Sequence, residues 1–220
     1  MNVVTTPTAA PETARAPWTR GAWLLQPPVR VGFALLVAGL FAASYTQPLW
    51  VTRFRAPQYP QGLSLQVYLD RVTGDIQEVD ILNHYVGMRP IEQMATFERS
   101  IAIFALAVVC GLGVWAASFR RIHWQILLVL PLVLFPLGML LDLFAWLWYS
   151  GHALDPTSPM GMTVKPFTPK LIGSQKVANF EVTSGLGLGT YLQIAGAALL
   201  AGAAFVGWKI SKGPADGAPR

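Results

Sequence analysis

The sequence predicts an all-α membrane protein in which four transmembrane helices carry a small β-containing extracytoplasmic domain formed by two loops. Hydrophobic residues make up 53% and charged residues 12% of the 220 positions, against roughly a quarter charged in an ordinary soluble domain. The apolar residues gather into four long blocks, separated by two long polar intervals and one short basic connection. The basic residues sit beside those blocks, where they orient a membrane protein, so the net charge of +5 implies no nucleic-acid partner.

Residues 1–30 are expected to form a cytoplasmic tail and a juxtamembrane segment. The first part is rich in Thr, Ala and Pro and lacks the pattern of a signal peptide. Trp18, Arg20, Trp23 and Arg30 are residue types that favour the headgroup layer. Residues 31–52 run without a charge and, at ~1.5 Å per residue, are long enough to cross a core of ~30 Å. Pro48 near the far end is placed to finish or kink that helix.

Residues 53–100 form the first outer loop. Leu63, Leu65, Val67 and Leu69 alternate with Ser64, Gln66 and Tyr68, which is strand periodicity. The 70–75 stretch with Gly74 supplies a turn, and Ile76, Val79, Ile81 and Leu82 read as a returning strand. The expectation is a β-hairpin with Asn83 and His84 at its end.

Residues 101–119 are the second span and 125–149 the third, the latter containing Pro131 and Pro136; the short 120–124 connection makes them an antiparallel pair. Residues 150–190 form a second outer loop with Pro156, Pro159, Pro166 and Pro169, and with a strand-like run from Asn179 to Thr183. The glycines of 185–190 lack the lysine and the strand–helix context of a phosphate loop and suit a tight return into the bilayer. Residues 191–208 are the fourth span and 209–220 a cytoplasmic tail.

Arg15, Arg20, Arg30, Arg120, Arg121, Lys209, Lys212 and Arg220 fall on one side, which positive-inside makes cytoplasmic. Both termini then lie in the cytoplasm and both long loops face outward, with Trp50, Trp146, Trp148, Tyr149 and Tyr191 near the outer ends.

Candidate chemistry concentrates in those loops. The first offers His84, Met88 and Met94; the second offers His152, Met160 and Met162, so four of the six methionines and two of the three histidines lie there. Thioether and imidazole together suit a soft metal such as Cu(I). One helical turn would bring His84 and Met88 to one face, and an extended Met160–Met162 run would point both sulfurs one way. Packing of loop methionines against the membrane surface is the competing reading. Asp142 is the one acid within a span, where a polar contact to Tyr45 or Thr46 is expected and a functional role is the alternative. Cys110 is the single cysteine, so neither an intrachain disulfide nor covalent haem attachment is possible. No hydrolase or metalloprotease motif is present, and nothing in the sequence asks for an enzyme.

The strings 82–88 (Leu-Asn-His-Tyr-Val-Gly-Met), 167–173 (Phe-Thr-Pro-Lys-Leu-Ile-Gly) and 177–180 (Val-Ala-Asn-Phe) resemble bacterial multi-span membrane proteins associated with copper-maturation machinery of the nitrous oxide reductase type. The resemblance covers the two outer loops. It implies copper handling in cuproenzyme maturation at the bacterial inner membrane, with His84 and Met88 first among the ligands. The expected function is therefore a membrane accessory protein that binds or hands over copper on the extracytoplasmic face. The alternative is a non-catalytic structural or assembly subunit of a larger membrane complex, and a small transporter fits less well. Expected partners are the lipid bilayer and a membrane or periplasmic protein, with oligomerisation open.

Overall fold

The computed structural model describes residues 26–119, 122–160, 162–177 and 180–211. The juxtamembrane residues before 26, the Arg120 and Arg121 pair, Gly161, Ala178, Asn179 and the tail from 212 lie outside the described residues.

Four helices are long and apolar enough to cross a membrane. They are α1 (Pro27–Tyr45), α3 (Thr96–Ala116), α4 (Ile122–His152) and α5 (Leu188–Ser211). Pro27 starts α1, where its missing N–H costs nothing. The helix expected to run to residue 52 ends at Tyr45, because Pro48 cannot continue it and disfavours helix at Gln47. Trp50 and its neighbours instead enter a strand.

The bundle closes on a cluster of Val37, Phe41, Ala102, Leu106, Leu132, Ala197 and Leu200, with the rings of Phe41 and Phe135 edge to face at 6.1 Å. Inside it Gln193 donates to the Ser44 hydroxyl at 3.1 Å, tying α5 to α1. At the other end Arg30 donates to the Phe119 carbonyl at 2.9 Å, joining the start of α1 to the chain just beyond α3.

The expected all-α class is too narrow. Five strands, β1 (Trp50–Ala56), β2 (Tyr59–Val67), β3 (Val72–Gly74), β4 (Gly173–Val177) and β5 (Phe180–Leu186), form one antiparallel sheet in the order β3-β2-β1-β5-β4. A hairpin is present, but it is β1–β2, with Trp50 opposite Val67 and Phe54 opposite Leu63.

The segment read as its returning strand is helix α2 (Ile76–Val86). Ile76, Val79 and Leu82 are spaced by three, a helical face, and they pack with Leu63, Leu65 and Ile91. Asp75 ahead of the helix accepts a hydrogen bond from the Ser64 amide at 2.7 Å. The place beside β1 is taken by β5, with Trp50 opposite Leu186 and Phe54 opposite Val182.

The sheet stands directly on α1 and α5. The Leu49 carbonyl receives the Gly187 amide at 2.8 Å and the Thr190 hydroxyl at 2.7 Å. A Cβ on Gly187 would fall 2.1 Å from the Pro48 oxygen, so this close return needs glycine.

Candidate functional site

The strand period of two gives the sheet two unlike faces. One presents Trp50, Thr52 and Phe54 from β1, Leu65 and Val67 from β2, and Phe180, Val182 and Ser184 from β5. The other presents Arg53, Arg55, Glu181 and Thr183, all exposed. The apolar face does not lie flat on the bundle. It bounds a cavity of about 650 Å³ that α4 also lines, from Phe135 and Met139 through Asp142, Leu143 and Trp146 to Ser150.

At ~1.5 Å per residue, the 31 residues of α4 rise ~46 Å, longer than a ~30 Å hydrocarbon core. Thr52 and Ser184 on the sheet wall satisfy each other, the Ser184 hydroxyl donating to Thr52 Oγ1 at 3.0 Å, which leaves that stretch effectively apolar. A large apolar space costs stability in proportion to its volume, and pockets of ~300–1,000 Å³ with such walls are the usual form of small-molecule sites.

The two loops meet at the end of α2. Gly87 caps the helix in the left-handed conformation at φ 90°, and Met88 returns its amide to the Asn83 carbonyl at 2.8 Å. The Gly87 carbonyl accepts the Asp155 amide at 2.8 Å, and the Tyr85 carbonyl accepts the Met160 amide at 3.0 Å. A Cβ at Gly87 would meet the Asp155 oxygen and the Ser158 hydroxyl at 2.7 Å. The hydroxyl and amide of Thr157 both donate to Asp155, at 2.7 and 2.8 Å, and hold its carboxyl below the usual carboxylate range; the His84 imidazole acts weakly in the same direction. Asp80 fixes the next turn by accepting from the Ile91 amide at 2.8 Å.

This junction distributes the predicted site residues unevenly. Met88, Met94 and Met160 all line the cavity, and the Ser150 hydroxyl donates to the Met94 sulfur at 3.4 Å. His84 is exposed in the last turn of α2 and is not part of the cavity wall. The helix stops at Val86, so the turn that would align His84 with Met88 is not continued. His152 stacks on Trp148 at 4.6 Å and hydrogen-bonds its carbonyl at 2.8 Å, also away from the cavity wall. Met160 begins a turn, its carbonyl accepting from Thr163 and Val164, both at 2.9 Å, rather than an extended run. Met162 points outward at 93% exposure.

Asp142 has a different neighbour from the one expected. Tyr45 donates instead to Asp70 at 2.7 Å, and Arg71 pairs with the other Asp70 oxygen at 2.8 Å. Asp142 lines the cavity, as does Glu98 in the first turn of α3. Glu98 and the sheet wall are functional candidates that sequence reasoning passed over. The alternation of Trp50, Thr52 and Phe54 carried the signal for the wall. No protein-family model matches the chain, and no curated protein matches it.

Proposed function

We propose that the chain is a multi-pass membrane accessory protein that holds an apolar ligand on its outer face, between the sheet and α4. In this reading the four long helices span the bacterial inner membrane. Both termini and the basic connection before α4 lie in the cytoplasm, following Arg30, Arg120, Arg121 and Lys209. The sheet, α2 and the joined loops lie outside. The observation that carries the reading is the 650 Å³ space with a largely apolar lining between the sheet and α4. Its lining runs from the sheet to Phe135 and Met139 in the middle of α4, which suits a hydrocarbon chain.

The test is titration of an environment-sensitive acyl fluorophore into the full chain in detergent. Val182→Trp fills the cavity from the sheet wall, whereas Thr183→Trp places the same ring on the opposite, exposed face. Affinity is expected to fall at least about tenfold in the first variant and to stay unchanged in the second. Equal affinity in both variants and the unaltered protein overturns the reading.

A second reading, copper handling, is favoured by Met88, Met94 and Met160 sharing one cavity wall. Thioethers suit Cu(I), and in this arrangement the site is built from sulfur alone, with His84, His152 and Met162 outside it. Anaerobic Cu(I) titration should then lose stoichiometric binding in Met88→Ala, Met94→Ala and Met160→Ala but keep it in His152→Ala and Met162→Ala. Unchanged binding across the three cavity methionine variants removes the metal reading.

A further inference from the structure

One part of the cavity wall differs chemically from the rest. Glu98 on α3 and Asp142 on α4 are the two acids of the cavity lining, and Arg99, next to Glu98 in the chain, is its one cation. Among the described residues neither carboxylate is hydrogen-bonded or ion-paired, and the salt bridge present joins Arg71 to Asp70 elsewhere. Arg99 directs Nη2 to the Glu92 carbonyl at 2.7 Å and Nε to the Ala95 carbonyl at 3.3 Å. Those bonds fix the guanidinium in place without neutralising it. Two acceptor groups and one fixed cation are therefore the charged part of an otherwise uncharged, largely apolar lining.

Part of the cavity lining reaches the surface on α3. Ile101 lines the cavity and is also 42% exposed, between Phe97 and Phe104, which are exposed at 68% and 75%. The cavity wall is thus continuous with an apolar helix surface of the kind that faces lipid. For size, a cavity of about 150 Å³ accepts benzene, so a space of about 650 Å³ has room for roughly 26 carbon atoms at the same density. That accommodates one long hydrocarbon chain with part of a headgroup, and not two chains.

We propose that the ligand is a zwitterionic, primary-amine-headed membrane lipid. This rests on the reading that the cavity holds an apolar ligand. One chain lies along Leu65, Val182 and Leu143. The ammonium donates to Glu98 and Asp142, and the phosphate meets Arg99. The second chain stays in the bilayer along Phe97 and Phe104.

The charge pattern selects this head. An anionic head without an amine would set its phosphate against two carboxylates. A choline head carries the charge but has no N–H to donate. Charge-assisted N–H to carboxylate bonds are about twice as strong as neutral ones, and discrimination follows from the difference in what each head leaves unpaired.

The experiment reconstitutes the full chain in nanodiscs containing equal parts of ethanolamine, choline and glycerol phospholipids. The protein is then gently re-extracted, and the lipid retained on the intact protein is identified by native mass spectrometry. One ethanolamine lipid per chain is expected, enriched about tenfold over the glycerol lipid. Glu98→Gln with Asp142→Asn should bring that ratio close to one while the amount of lipid retained stays the same. Retention of one lipid per chain by the unaltered protein with no preference among heads overturns the head assignment and leaves the cavity reading standing. Retention of no lipid overturns both. The head preference of the unaltered protein decides the assignment even where the double variant fails to fold.

Discussion

Met160 donates its backbone N–H to the Tyr85 carbonyl at 3.0 Å, joining two loops that lie far apart in the chain. With the Asp155 amide on the Gly87 carbonyl beside it, this pair of bonds ties the second loop to the end of α2. It also sets Met88 and Met160 in one wall.

Gly87→Ala tests that junction. A left-handed alanine costs about 1–2 kcal/mol from its own backbone, and its Cβ would fall 2.7 Å from Asp155 and Ser158 atoms. Destabilisation at or above that range is expected, together with faster tryptic cleavage after Lys170, an exposed residue of the second loop. A variant that melts with the unaltered protein and is cut no faster would show that the junction does not hold the loops.

Acid should loosen the same junction. The Thr157 hydroxyl and amide lower the folded-state pKa of Asp155 below its unfolded value. Its contribution to stability is therefore complete above the unfolded carboxylate range and is lost as pH falls through the folded pKa. Melting temperature followed downward from neutral pH should decline less steeply in Asp155→Asn than in the unaltered chain. Superimposable pH profiles would remove Asp155 from the account.

Much of the architecture is legible in the sequence because long apolar blocks and a two-residue alternation are local signals. The spans containing Phe41, Leu106, Leu132 and Leu200 stand out by composition, and Leu63, Leu65 and Val67 fall in a strand as their alternation requires. What was misread depends on distant partners. Ile76, Val79, Ile81 and Leu82 suit a strand in isolation, but β3 and β1 already occupy both edges of β2, and the segment packs as helix α2 with Leu63 and Leu65. The candidate site was legible only in pieces. Met88 and Met160 were visible as residues, but their common wall depends on backbone bonds between loops. That Asp142 and Glu98 line one cavity depends on the stagger of α3 against α4, which no local spacing encodes.

The Thr52 and Ser184 hydroxyls offer a separate check on the sheet wall. Both are buried and bonded to each other at 3.0 Å. Removing one leaves the other unsatisfied, so Thr52→Val or Ser184→Ala alone should cost about 1–3 kcal/mol, and the double variant less than the two single losses added. Denaturant titration of the four proteins measures the coupling. Strict additivity would show that the pair does not act as a unit.

Photo-crosslinking in the membrane, with a phospholipid carrying a diazirine near the end of one acyl chain, tests whether the cavity holds that chain. Adducts are expected on cavity residues, Leu65, Val182 and Leu143 foremost, with their loss in Val182→Trp. Adducts confined to outward-facing residues of the spans such as Phe104 and Leu141, unchanged in Val182→Trp, would show that the cavity does not hold it.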